Sequence, residues 1–267
     1  MKLGRSRHLA GAVALAAAGL ATGGVIAQAN DAAPRAKASA GSGGVSVTPQ
    51  TVEHTARKGA LGSVTIKNTT SDTLKITVRV RPWIQNRTTG QVNANFNVSL
   101  SRYVAASASS FNLSAGATKS VSIVQRRTPP GGSLYAAIDV LGKPRNAKAR
   151  NGIIPNYRVV GRLRANPASK RVSLRAGRIG FIGSGSGRQV VMPIRNTGNT
   201  LDPIGGSVTF TGPTGKTNAL KAITPIPGQV VNLIGGHISG FKKGKYTARW
   251  SITQGTKRYT AVRTFTL

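Results

Sequence analysis

Ser63-Val64-Thr65-Ile66-Lys67-Asn68-Thr69-Thr70-Ser71-Asp72-Thr73-Leu74-Lys75-Ile76-Thr77-Val78-Arg79-Val80-Arg81-Pro82 is the stretch that decides the fold. Val64 and Ile66 alternate with Thr65 and Lys67, and Leu74, Ile76, Val78 and Val80 alternate with Lys75, Thr77, Arg79 and Arg81. A period of two with β-branched residues on the apolar side predicts half-buried strands. Asn68 to Thr73 supply turn chemistry between them, so the stretch is predicted to be a β-hairpin with a cationic outer face. The phrase returns at Ile194-Arg195-Asn196-Thr197-Gly198-Asn199-Thr200-Leu201-Asp202, which predicts two similar β domains.

The chain opens on Lys2, Arg5 and Arg7, followed by an almost uncharged Ala/Gly/Val/Leu run from Leu9 to Ala29 that ends Ala27-Gln28-Ala29. Charged head, apolar middle and small-residue site are the parts of a secretory signal peptide, predicted over 1–29. Residues 30–44, rich in Ala, Gly and Ser, are predicted to be a flexible spacer. No later stretch is apolar enough to span a bilayer, so the mature chain is expected to carry no transmembrane helix and to be secreted, extracellular or wall-associated. From Asn30 on there are 35 Lys and Arg against five acids, Asp31, Glu53, Asp72, Asp139 and Asp202, a net +30. Such a charge favours polyanionic partners. With no cysteine, an exported chain must hold itself by core burial; each half is long enough for that.

Short alternating segments at regular spacing, separated by Gly and Pro turns, predict an all-β chain of two tandem β-sandwiches over 45–167 and 168–267. Gly142 to Gly152 is predicted to be an exposed loop carrying Lys143, Arg145, Lys148 and Arg150. Tyr157 to Arg164 repeats the strand with a cationic face. In the terminal hairpin Tyr246, Ala248, Trp250 and Ile252 share a face, and Arg263 interrupts the returning strand, where its head is expected in water at the sheet margin. Trp83 and Trp250 are both predicted to be core.

Several of these phrases together resemble the WxL-interacting proteins of Gram-positive cell surfaces, and more distantly the first domain of periplasmic pilus chaperones. The shared track is Val45-Ser46-Val47-Thr48-Pro49, the strand ending Ile66-Lys67-Asn68, and Gly131-Gly132-Ser133-Leu134-Tyr135. A last strand, Tyr157-Arg158-Val159-Val160-Gly161, completes it. The second half joins the resemblance through Ile194-Arg195-Asn196 and the closing Lys243-Gly244-Lys245-Tyr246 hairpin. The resemblance implies immunoglobulin-like domains, peptidoglycan binding through the first and partner binding through the second. Pilus chaperones hold a client's terminal carboxylate with two cations; Thr51 and Arg162 stand near those positions here, which speaks against that role.

Catalysis is not expected. A glycosidase needs two carboxylates ~5 to 9.5 Å apart, and five scattered acids offer no such pair. Glu53-His54 has no nucleophile motif beside it, and three histidines are too few and too dispersed for a metal site. No cofactor is expected. The candidate site is the cationic strand faces, Lys75, Arg79 and Arg81 together with Arg158, Arg162 and Arg164, whose rows repel one another unless an anion neutralises them. Aromatics, at 5%, are too few to interleave with a basic groove as single-strand nucleic-acid binding requires, so nucleic acid is disfavoured. The expected partner is an anionic cell-wall polymer or peptidoglycan, with a surface protein as a further partner. A chaperone or assembly factor using strand complementation, or a structural wall component, are the alternatives.

Overall fold

The computed structural model describes residues 43–146 and 154–267. The predicted signal peptide, most of the spacer and residues 147–152 of the predicted 142–152 loop lie outside these residues. The chain is all-β, and its strands form two sandwiches.

The first sandwich contains β1 (Val45–Thr48), β2 (Thr51–Thr55), β3 (Gly59–Asn68), β4 (Leu74–Gln85), β5 (Val92–Ala94), β6 (Val104–Ala106), β7 (Ser110–Leu113), β8 (Thr118–Gln125), β9 (Leu134–Pro144) and β10 (Tyr157–Asn166). One sheet runs β1-β3-β8-β6; the other runs β2-β10-β9-β4-β5, with β7 also on β4. The second sandwich contains β11 (Leu174–Ala176), β12 (Gly180–Ile182), β13 (Gln189–Asn196), β14 (Ile204–Thr211), β15 (Lys216–Ile223), β16 (Val230–His237), β17 (Lys245–Gln254) and β18 (Lys257–Thr266). There β13 is flanked by β11 and β12 on one edge and β16 on the other, facing a β15-β14-β17-β18 sheet.

The predicted hairpin is not a hairpin. β3 pairs with β1 and β8, whereas β4 pairs with β9, β5 and β7. The residues between them carry the chain from one sheet to the other, so the apolar faces of β3 and β4 meet across the core instead of lying side by side. Alternation specifies which face a strand buries, and both arrangements bury the same face.

Asn68 fixes this corner. Its buried carboxamide donates to the carbonyls of Asp72 (2.6 Å), Leu113 (3.0 Å) and Ser114 (3.0 Å), while Oδ1 accepts from the Thr70 N–H at 3.0 Å. Asn196, in the repeated phrase, does the same between β13 and β14. It donates to the carbonyls of Thr200 (2.9 Å) and Pro225 (2.8 Å) and accepts from the Gly198 N–H at 2.9 Å. The sequence repeat is therefore a repeated joint. Gly44, the last residue of the predicted spacer, is tied to the first corner, its carbonyl accepting from the Thr69 N–H at 2.9 Å.

Between the sheets of the first sandwich lie Val64, Ile66, Leu74, Ile76, Val78, Ile123, Ile138, Val140 and Leu163; each such side chain contributes about 1.5 to 3 kcal/mol when fully buried. In β3 the buried positions step from Leu61 to Val64, out of a period of two. A bulge at Ala60/Gly62 absorbs the extra residue, and Gly62 there sits at φ 145°, where a Cβ would press on Val52. The second core gathers Met192, Ile194, Phe210, Tyr246, Trp250 and Ile252. Trp250 is fully buried, as expected. Arg263 lies on the half-buried side of β18, the edge strand of its sheet, and its guanidinium donates to the carbonyls of Gly177 (3.4 Å) and Val262 (2.9 Å).

The two sandwiches make one compact unit, and two seams join them. At the first, Gln229 accepts from the Gln85 N–H at 2.7 Å and donates to the Trp83 carbonyl at 2.7 Å. Gln85 in turn accepts from the Ile226 N–H at 3.0 Å and donates to the Thr224 carbonyl at 2.8 Å. At the second, the Tyr135 hydroxyl donates to the Asn199 carbonyl at 3.1 Å, and the Asn199 carboxamide donates to the Gly131 carbonyl at 2.9 Å.

Candidate functional site

Register places the predicted cations on one surface. On β4, Lys75, Thr77, Arg79 and Arg81 point away from the core, opposite Lys143, Leu141, Asp139 and Ala137 of β9. On the other side of β9, Arg158 stands opposite Leu141, Val160 opposite Asp139, Arg162 opposite Ala137 and Arg164 opposite Tyr135. β4 and β10 thus flank β9 about 4.8 Å away on either side, and all six predicted cations share the outer face of one sheet.

They do not form one uniform row. Lys75, Arg79, Arg81 and Arg158 line a single cleft of about 370 Å³ with Lys143, Asp139, Thr77 and Leu141. Arg162 and Arg164 lie outside it. Arg164 is 3.7 Å from the Glu53 carboxylate, whose other oxygen accepts from the Asn166 carboxamide at 2.7 Å. Glu53 is thereby a structural partner at the β2–β10 edge, and its neighbour His54 bonds the Thr55 carbonyl and Arg57. Thr51 faces Arg162 across the parallel β2–β10 pair, so that pairing holds one cation.

Arg81 departs from its expected solvent exposure: it is 6% exposed, and its Nε is 3.5 Å from Asp139, which is 3% exposed. Arg158, at the rim, approaches the other Asp139 oxygen at 3.1 Å, and its guanidinium lies 4.2 Å from the centre of the Phe96 ring. Arg81 also donates to the Val98 carbonyl at 3.0 Å. Neither the Arg81 Nε–H nor Asp139 Oδ1 completes a hydrogen bond in this arrangement. Asp139 is buried on the outward side of β9 because long arginine stems from β4 and β10 lie over it beside the small Ala137. The cations therefore have one counter-charge at their centre, which the expectation of unpaired rows omitted.

Lys143 was expected in a loop. It is instead in β9, directly opposite Lys75, and two like charges facing each other across strands repel. The cleft thus holds five cations and one carboxylate. Trp83 departs from expectation as well: it continues the outward side of β4 beyond Arg81, is half-buried, and lines a separate cleft between the sandwiches.

These features define an all-β chain of two sandwiches with a basic cleft on an outer sheet face. No family model matches the sequence, and no curated protein matches it. Among solved structures it is similar to a chain of the chaperone–tip adhesin complex of CFA/I fimbriae biogenesis, at 14% identity over 82% of this chain and 98% of that one, TM-score 0.48. It is similar to the Class 5 fimbriae chaperone CfaA at 14% identity over 82% and 98%, TM-score 0.45. It is also similar to the E. coli chaperone DraB at 13% identity over 84% and 96%, TM-score 0.41. Among the described residues no helix is long and apolar enough to cross a membrane.

Proposed function

We propose that this chain is a non-enzymatic, secreted cell-surface binding protein that holds an anionic cell-wall polymer on the outer face of the β2-β10-β9-β4 sheet and a surface protein elsewhere. One observation carries the reading: Lys75, Arg79, Arg81, Lys143 and Arg158 share a cleft with a single carboxylate, and Lys75 faces Lys143. A polyanion laid in the cleft relieves that repulsion and releases its own counterions, so binding weakens steeply with salt, by up to about 0.9 in log K per log salt for each duplex-DNA phosphate contacted and by less for a sparser polymer. The resemblance to WxL-interacting proteins points the same way, and neither reading calls for a cofactor.

The test is retention on purified wall polysaccharide against peptidoglycan across a salt series. Lys75→Gln, Arg79→Gln and Lys143→Gln together should lower both affinity and salt slope. They should leave stability nearly unchanged, since exposed substitutions usually stay within about ±0.5 kcal/mol each. Equal retention of parent and triple variant at every ionic strength rejects the reading.

A second reading rests on the edge of β10. β2 pairs with β10 only from Arg162 to Asn166, and among the described residues no strand pairs along that edge from Tyr157 to Gly161, although β1 packs nearby. A client strand added there makes the chain an assembly factor by edge pairing. Protection of the 157–161 amides from hydrogen exchange in a co-purified complex would support it, and unchanged exchange would remove it.

A further inference from the structure

The cleft between the sandwiches is a second candidate site, chemically unlike the basic face. It encloses about 580 Å³, within the ~300 to 1,000 Å³ typical of small-ligand sites. Its walls are held apart and in place by the two seams, the Gln85–Gln229 exchange and the Tyr135–Asn199–Gly131 chain of bonds. The first sandwich contributes Trp83 and Tyr135, neighbours on the outward side of β4 and β9, and the second contributes Ile226 and Pro227. Arg171 and Arg195 also line it.

Those cations are under-compensated. Arg195 stands directly opposite Arg175 across the β11–β13 pair. Among the described residues the ion pairs engage Arg81, Arg158 and Arg164, and none engages Arg171, Arg175 or Arg195. An aromatic wall, an aliphatic wall and two guanidiniums outside any ion pair suit a ring with one apolar C–H face and one negative group. A guanidinium meets a carboxylate through two parallel hydrogen bonds.

We infer that this cleft binds a carboxylate-bearing sugar residue of the hexuronic acid class, its ring against Trp83 and its carboxylate toward Arg195 and Arg171. The inference stands apart from the basic sheet face, since the two clefts share no lining residue.

Tryptophan emission of the full chain tests it directly. The chain has two tryptophans, and Trp250 is fully buried in the second core, so a ligand-dependent change reports on Trp83. Titration with D-glucuronate should give a saturable change that glucose, benzoate and inorganic phosphate do not reproduce. Arg195→Gln should weaken glucuronate binding by about tenfold or more, as expected for loss of a charge-assisted pair. Trp83→Leu, followed by calorimetry because its signal is gone, should weaken it as well. The Lys75, Arg79 and Lys143 triple variant should bind glucuronate like the parent, which separates this site from the polymer reading. No saturable response to glucuronate, an equal response to glucose, benzoate or phosphate, or unchanged affinity in Arg195→Gln overturns the inference.

Discussion

Replacing Asp139 by Asn removes the one negative charge from the basic cleft while keeping the side chain's shape. Arg81 is the residue that suffers: its side chain and that of Asp139 are 7% and 4% exposed, and their closest N–O distance is 3.5 Å. Breaking a buried pair leaves an uncompensated charge and costs about 3 to 5 kcal/mol. Arg81 keeps its bond to the Val98 carbonyl, which places the expected cost near the lower end, about 3 kcal/mol. The Arg158 contact, with that side chain 41% exposed, adds no more than about 1 kcal/mol. With a urea slope of about 2 kcal/mol per molar, the unfolding midpoint should fall by roughly 1.5 to 2 M. The variant cleft then holds five cations and no acid, so sulfate should restore stability more than chloride at equal ionic strength. At ten times its dissociation constant a bound anion returns about 1.4 kcal/mol. A midpoint loss under about 0.5 M, or equal rescue by both salts, would refute the argument that Asp139 is the keystone of this face.

Three further outcomes are expected. Asn68→Ala and Asn196→Ala should each cost roughly 2 to 4 kcal/mol in urea unfolding, because each strands buried carbonyls and an N–H that its carboxamide satisfied; losses under 1 kcal/mol would show that the corners do not depend on them. Gln229→Ala, which leaves the Gln85 N–H and the Trp83 carbonyl without their partner, should split one calorimetric transition into two, and a single unshifted transition would mean the clasp does not couple the sandwiches. Burial pushes the Tyr135 hydroxyl above the ordinary value of 10.0, helped by Asp202 and Glu53 and opposed by the Ser133 hydrogen bond and Arg164. The folded form thus holds this proton more tightly than the unfolded one, so its contribution is complete below pH 10 and is lost as pH rises through the folded value. Tyr135→Phe should flatten the alkaline loss of stability, and identical alkaline curves for variant and parent would disprove the role.

Much of the architecture was legible because strand alternation is written residue by residue. Leu74, Ile76, Val78 and Val80 are all buried on one side of β4, and Asn68 and Asn196 mark equivalent corners. Partnership between strands was not legible: β3 and β4 show the same pattern whether they pair or face each other. On the outer face, strand parity also encodes where Trp83 lies. Arg79, Arg81 and Trp83 share odd positions, and that alone places Trp83 outside the core. Asp139 was hidden within an apolar run, since its partners come from two other strands. Lys143 was hidden by Gly142 and Pro144, which read as loop residues although Gly142 lies where a Cβ would press on Val45, Leu74 and Ile76. The burial of Arg81 depends on that same three-strand juxtaposition, which no local pattern encodes.

The partial cover of β10 by β2 also governs how this chain behaves among its own copies. The unpaired length, Tyr157 to Gly161, offers about 17 Å of backbone, and it stops where the Gln50 carbonyl accepts the Arg162 N–H at 2.7 Å. An invading strand is thus limited to about five residues before it collides with the end of β2. Arg158 sits within that window, so a second copy of this cationic chain approaching edge to edge brings like charge to the contact. A short reach and a guarding arginine are the means by which natural sheets keep an open edge from growing into a fibre, so the edge can remain open to a foreign segment while refusing its own kind.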